Sequence, residues 1–128
     1  MSSAVKADRP VNLDLTTISL PLAALTSILH RISGIFLLIG SAFMVWMLHK
    51  SLASPADFAT AQAVMNHGLA KFITWGLLCS LGYHLVAGIK HLIMDGGLGE
   101  TKEGGKLGAQ ITLVISVILF VLAGVWVW

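Results

Sequence analysis

Charge is what this sequence has least of: Lys, Arg, Asp and Glu make up only 11% of its 128 residues, while 56% are hydrophobic and the mean hydropathy is +0.87. That balance excludes a soluble globular domain. The net charge is only +2 and the basic residues are dispersed, so the patch that nucleic acid requires is missing. Cysteine occurs once, at Cys79 inside an apolar run, which rules out an internal disulfide or a cysteine cluster and leaves the role of a small buried hydrophobe. Residues alternating between polar and apolar are also lacking, so a membrane barrel is excluded. Met1–Leu15 is polar, with Lys6, Asp8, Arg9 and Asp14, and offers no short apolar segment before a cleavage site, so no signal peptide is expected. There is no internal repeat, and an inverted-repeat transporter would need more spans.

What is present is three uncharged stretches, Ile32–His49, Phe72–Ile89 and Leu107–Trp128. Each approaches the roughly 20 apolar residues that cross a hydrocarbon core. Only helices satisfy so much backbone in lipid. The expected fold is an all-α membrane protein, one membrane-anchor domain over 1–128 built as a bundle of three transmembrane helices, at about 21–50, 69–94 and 103–127. Residues 1–20 read as an irregular arm, and Pro21 falls in the first turn of the first helix. Arg31 to Lys50 spans roughly 28 Å at about 1.5 Å per residue, enough for a bilayer core. Ser54-Pro55-Ala56-Asp57 has the pattern of a helix start and predicts a short surface helix over about 55–65. His49 and His67 read as interfacial. Asp95-Gly96-Gly97-Leu98-Gly99 should end the second span, with a charged loop after it.

Lysine and arginine set the orientation. An inside N-terminus puts Lys6, Arg9, Arg31, Lys90, Lys102 and Lys106 inside, and Lys50 and Lys71 outside. Trp46, Trp75, Trp126 and Trp128 then all fall in the outer leaflet. The N-terminus is therefore expected in the cytoplasm and the C-terminus in the periplasm.

Two constellations carry chemistry. Ser27-Ile28-Leu29-His30-Arg31-Ile32-Ser33-Gly34 opens the first apolar run, and Ser27 and Arg31 share a helix face. Charged groups at the edge of hydrocarbon mark ion, proton or ligand sites. The plainer account is an arginine that snorkels to headgroups. On the second span Ser80, His84, Gly88, His91 and Asp95 form a polar or small stripe. His84 lies roughly 9 Å inside the membrane from Lys90. Its imidazole needs a partner there, either a hydroxyl or carbonyl of another helix or haem iron. Gly88 would let a flat macrocycle approach the backbone, and His30, Arg31 and His91 stand where they meet propionates. No other span has a histidine at that depth, so a second axial imidazole would come from another subunit.

With these motifs, Arg9-Pro-Val-Asn-Leu-Asp-Leu15, Ser27-x-x-His30-Arg31-x-Ser33-Gly34 and His84-x-x-x-Gly88-x-Lys90-His91-x-x-x-Asp95, the chain resembles along its whole length the large membrane-anchor cytochrome b subunit of bacterial succinate dehydrogenase (succinate:ubiquinone oxidoreductase). One departure is Lys90, where many relatives have Arg; it bears on a surface or phosphate contact rather than on the site. The resemblance implies that His84 is an axial ligand to the iron of haem b, shared with a histidine of the small anchor subunit. Ser27 and Arg31 match ubiquinone-site residues, with Ser27 donating to a carbonyl and Arg31 orienting the head group. His30, Arg31 and His91 belong to the propionate neighbourhood. The implied partners are a flavoprotein, an iron–sulfur subunit, the small anchor, membrane lipid and ubiquinone, in the bacterial inner membrane. No residue of this chain would bind the dicarboxylate, so it would be no enzyme alone. The alternatives are the anchor of a quinol:fumarate reductase, or a haem-free structural anchor in which His84 bonds another helix.

Overall fold

A computed structural model describes Val11, Leu13, Asp14 and residues 16–128, and every described element is helical. Most of the Arg9–Leu15 motif lies outside the described residues. The helices are α1 (Leu22–Ala53), α2 (Pro55–Met65), α3 (Gly68–Asp95) and α4 (Lys102–Val127). By length and composition α1, α3 and α4 are each able to cross a membrane, with mean hydropathies of 1.9, 1.5 and 2.5.

Pro21 stands just before α1 rather than in its first turn; it is extended, and its carbonyl accepts from Ala24 and Leu25. α1 then runs past Lys50 to Ala53. Lys50 can stay helical because its ammonium is taken up by Asp57 of α2, at 2.7 Å. Ser54 makes the corner in an extended conformation. Its Oγ accepts from the Asp57 N–H at 3.0 Å and donates to the Asp57 carboxylate at 2.9 Å, a reciprocal cap. Lys50, and then Ser54, hold the Asp57 carboxyl below the ordinary carboxylate range. His67 caps α3 by accepting from the Leu69 N–H, a structural task that its interfacial placing did not reveal.

α3 ends in a Schellman turn, with Leu98 N–H on the Ile93 carbonyl and Gly97 N–H on that of Met94. Gly97, at φ 86°, makes the left-handed step that this turn needs. Thr101 caps α4 through Gly104. The three long helices alternate in direction. Trp75, early in α3, donates to the Phe120 carbonyl near the end of α4 (3.0 Å) and meets Trp128 edge-on. At the other end Lys90 of α3 packs on Gly108 of α4 and reaches Thr26 of α1.

The interior is small and polar. Ala87, Ala109, Thr26, Thr112 and Ser116 are essentially inaccessible, whereas Leu38, Ile39, Val114, Ile118, Val121 and Leu122 are exposed. Small side chains let backbones approach, and the bulky ones face lipid. α4 is thus a full packing partner of α3 as well as lipid-facing. Cys79 is half-buried and lines a groove with Ser80 and Ser116.

Candidate functional site

α1 and α3 bring three histidines of the sequence motifs together. The His30 and His84 rings stack with centroids 4.1 Å apart, and His91 lies 5.2 Å from His30 at a tilt. Beside Gly88, where room for a macrocycle is expected, lies the His30 ring, its Nε2 3.5 Å from where a Gly88 Cβ would stand. The other glycine contact is at Gly34, whose missing Cβ lets the His84 ring pack on α1; a Cβ would sit 3.1 Å from Cε1. His30 Nε2 is buried and has no hydrogen-bond partner among the described residues.

His84 is held by one nitrogen. Its Nδ1 lies 3.1 Å from the His30 carbonyl oxygen and 3.0 Å from Ser33 Oγ. A carbonyl only accepts, so Nδ1 carries the proton. Ser33 spends its own hydrogen on the same carbonyl, at 2.7 Å, and therefore accepts from Nδ1. The lone pair of the neutral ring is then on Nε2, which among the described residues is neither hydrogen-bonded nor enclosed. An imidazole fixed through one nitrogen with the other left as a donor is the arrangement of a metal-ligating histidine. Among the described residues no three His, Cys, Asp or Glu gather to hold a bare metal ion. An iron already held in a macrocycle needs only axial ligands, and that is the group these residues fit.

Ser27 is half-buried and Arg31 exposed, and neither side chain bonds another described residue. They stand one turn apart on α1, beside the cluster but outside its contacts. Ser80 joins the groove lined by Cys79 and Ser116, and Asp95 is exposed, so the lower and upper ends of the α3 stripe leave the cluster. Lys90 is a correction. It reads as a loop or surface charge but is buried in the bundle, its stem against Gly108.

Residues 6–123 match the family model of the succinate dehydrogenase/fumarate reductase transmembrane subunit. The chain belongs to that family. It is 42% identical over 125 residues to the succinate dehydrogenase cytochrome b556 subunit of Coxiella burnetii, covering 97% of this chain and all of the relative. The subunit of the same name from Paracoccus denitrificans is 38% identical over 95% of this chain and 94% of its own. The cytochrome b560 subunit of Reclinomonas americana is 31% identical over 91% and 84%. As a succinate dehydrogenase transmembrane subunit, the chain has the part of a membrane anchor, multi-pass in the bacterial inner membrane.

Proposed function

We propose that this chain forms half of a haem b site and part of the ubiquinone site of succinate dehydrogenase, in a complex with a flavoprotein, an iron–sulfur subunit and a small anchor. The observation that carries the reading is the fixed His84 ring, with its proton on Nδ1 and its lone pair on Nε2. Bound there, haem b supplies a one-electron redox centre. His84 Nε2 would be this chain's ligand to its iron, and a histidine of the small anchor would complete the site. Ser33 and the His30 carbonyl keep the ring in the ligating tautomer. His30, Arg31 and His91 are the groups assigned to the haem carboxylates.

Ubiquinone enters from lipid toward the end of α1 that carries Ser27 and Arg31. Ser27 Oγ donates to a quinone carbonyl and fixes the head group. Arg31 supplies positive potential where negative charge gathers during reduction. Dicarboxylate chemistry belongs to other subunits. The relatives' names favour succinate oxidation as the physiological direction over fumarate reduction. The N-terminus is assigned to the cytoplasm. With Lys90 withdrawn into the bundle the basic bias is five to two, still in favour of that orientation.

The test uses the assembled complex in detergent, followed by absorption and magnetic resonance spectra. The wild type is expected to show low-spin, bis-imidazole haem. His84→Leu should lose or alter that signature, while His49→Leu keeps it. An unaltered spectrum in His84→Leu would overturn the assignment.

A further inference from the structure

Two α3 side chains with no task in the reading above converge on one residue of α1. Tyr83 Oη donates to the Thr26 carbonyl at 2.7 Å, and Lys90 Nζ reaches Thr26 Oγ1 at 3.4 Å. Tyr83 and Lys90 are seven residues apart, two turns along one face of α3. Thr26 is completely inaccessible, and Tyr83 and Lys90 are buried beside it. The Thr26 hydroxyl gives its own hydrogen to the Ala23 carbonyl, so its oxygen is left to accept from the lysine. Gly108 of α4 makes room for the lysine stem.

A lysine inside a membrane bundle is costly, and one long contact to a hydroxyl offsets little of that cost. Snorkelling would return the head group to water. Instead the side chain crosses to α1. What it touches indicates its use: Thr26 immediately precedes Ser27, and Tyr83 immediately precedes His84.

We propose that Tyr83 and Lys90 are positioning residues for quinone reduction. By gripping Thr26 from two successive levels of α3 they set the register of α1 against α3. That register places Ser27 and Arg31, on one helix, relative to His84 on the other. The inference rests on the assignment of Ser27 and Arg31 to ubiquinone.

The experiment compares Tyr83→Phe, Lys90→Met, Lys90→Arg and Ser27→Ala in the assembled complex, with a short-chain ubiquinone as acceptor. Tyr83→Phe and Lys90→Met should each raise the quinone KM about two- to tenfold, the range for one lost hydrogen bond. Their kcat, succinate oxidation by a soluble dye and haem content should stay at the wild-type level, and Lys90→Arg should restore KM. Wild-type KM in both variants, in a complex where Ser27→Ala raises it, overturns the inference. Parallel loss of haem, dye activity and quinone activity also overturns it, because the pair would then serve general stability. If Ser27→Ala leaves KM unchanged, the underlying quinone reading fails and takes the inference with it. Should Lys90→Met not assemble, Tyr83→Phe decides alone, since it removes one oxygen and keeps the ring.

Discussion

A neutral imidazole offers a lone pair on one nitrogen at a time, so whatever holds the other nitrogen decides how the ring can act. In this chain that decision is local. His30 supplies the carbonyl, Ser33, one turn later, shares it, and Gly34 lets the ring in. Ser27 and Arg31 are the opposite case, side chains with no commitment to another described residue and therefore open to a substrate. Ser27→Ala is expected to weaken quinone reduction about two- to tenfold, and Arg31→Leu more, roughly ten- to a hundredfold, because contacts to a charged group are stronger. Succinate oxidation by a soluble dye should be intact in both. Unchanged quinone kinetics in both variants would leave Arg31 a snorkelling residue. The spacing of His84, Gly88 and His91 was readable because helical periodicity alone puts them on one face. The stack of His30 on His84, 54 residues apart, and the approach of His30 to Gly88 depend on how α1 and α3 are rotated against each other. No local pattern encodes that rotation.

At the scale of elements, the junction of α1 and α2 is held by charge. Asp57 ties the last turn of α1 to the first turn of α2 through Lys50 and Ser54, with His49 close by. Its folded carboxyl titrates lower than in an unfolded chain, so its contribution is complete above the ordinary carboxylate range. That contribution is lost as pH falls through the lowered value. Thermal stability in detergent should therefore favour the wild type over Asp57→Asn near pH 7, and the difference should shrink as pH falls below the ordinary carboxylate range. A gap independent of pH would count against the clamp. The start of α2 was legible because Ser-Pro-Ala-Asp combines a cap, a proline and an acid at fixed offsets. Lys90 was not: a lysine close to a helix end reads as solvated, and only Gly108 and Thr26, on two other helices, provide space for its stem and a contact for its head.

For the whole molecule, α1, α3 and α4 run up, down and up, so the Ser27 end of α1 and the loop between α3 and α4 share one side. A reporter fused after Trp128 is expected to be active only in the periplasm, and one near Lys102 only in the cytoplasm. A cytoplasmic C-terminus would reverse the assignment and put Ser27 and Arg31 on the other face. Three helices were legible from hydropathy, since uncharged runs of this length have no other stable form in lipid. Which sides face inward was harder to read, because the cue familiar from soluble proteins is absent. Most of the tightest positions are Ala87, Ala109, Thr26, Thr112 and Ser116, while most leucines, isoleucines and valines are exposed, Leu77 on Gly40 and Leu119 on Gly82 being exceptions. For substitutions this turns ordinary tolerance inside out: exchanges among the exposed large aliphatic residues should cost little, whereas enlarging Ala87, Ala109 or Ser116 should force the helices apart.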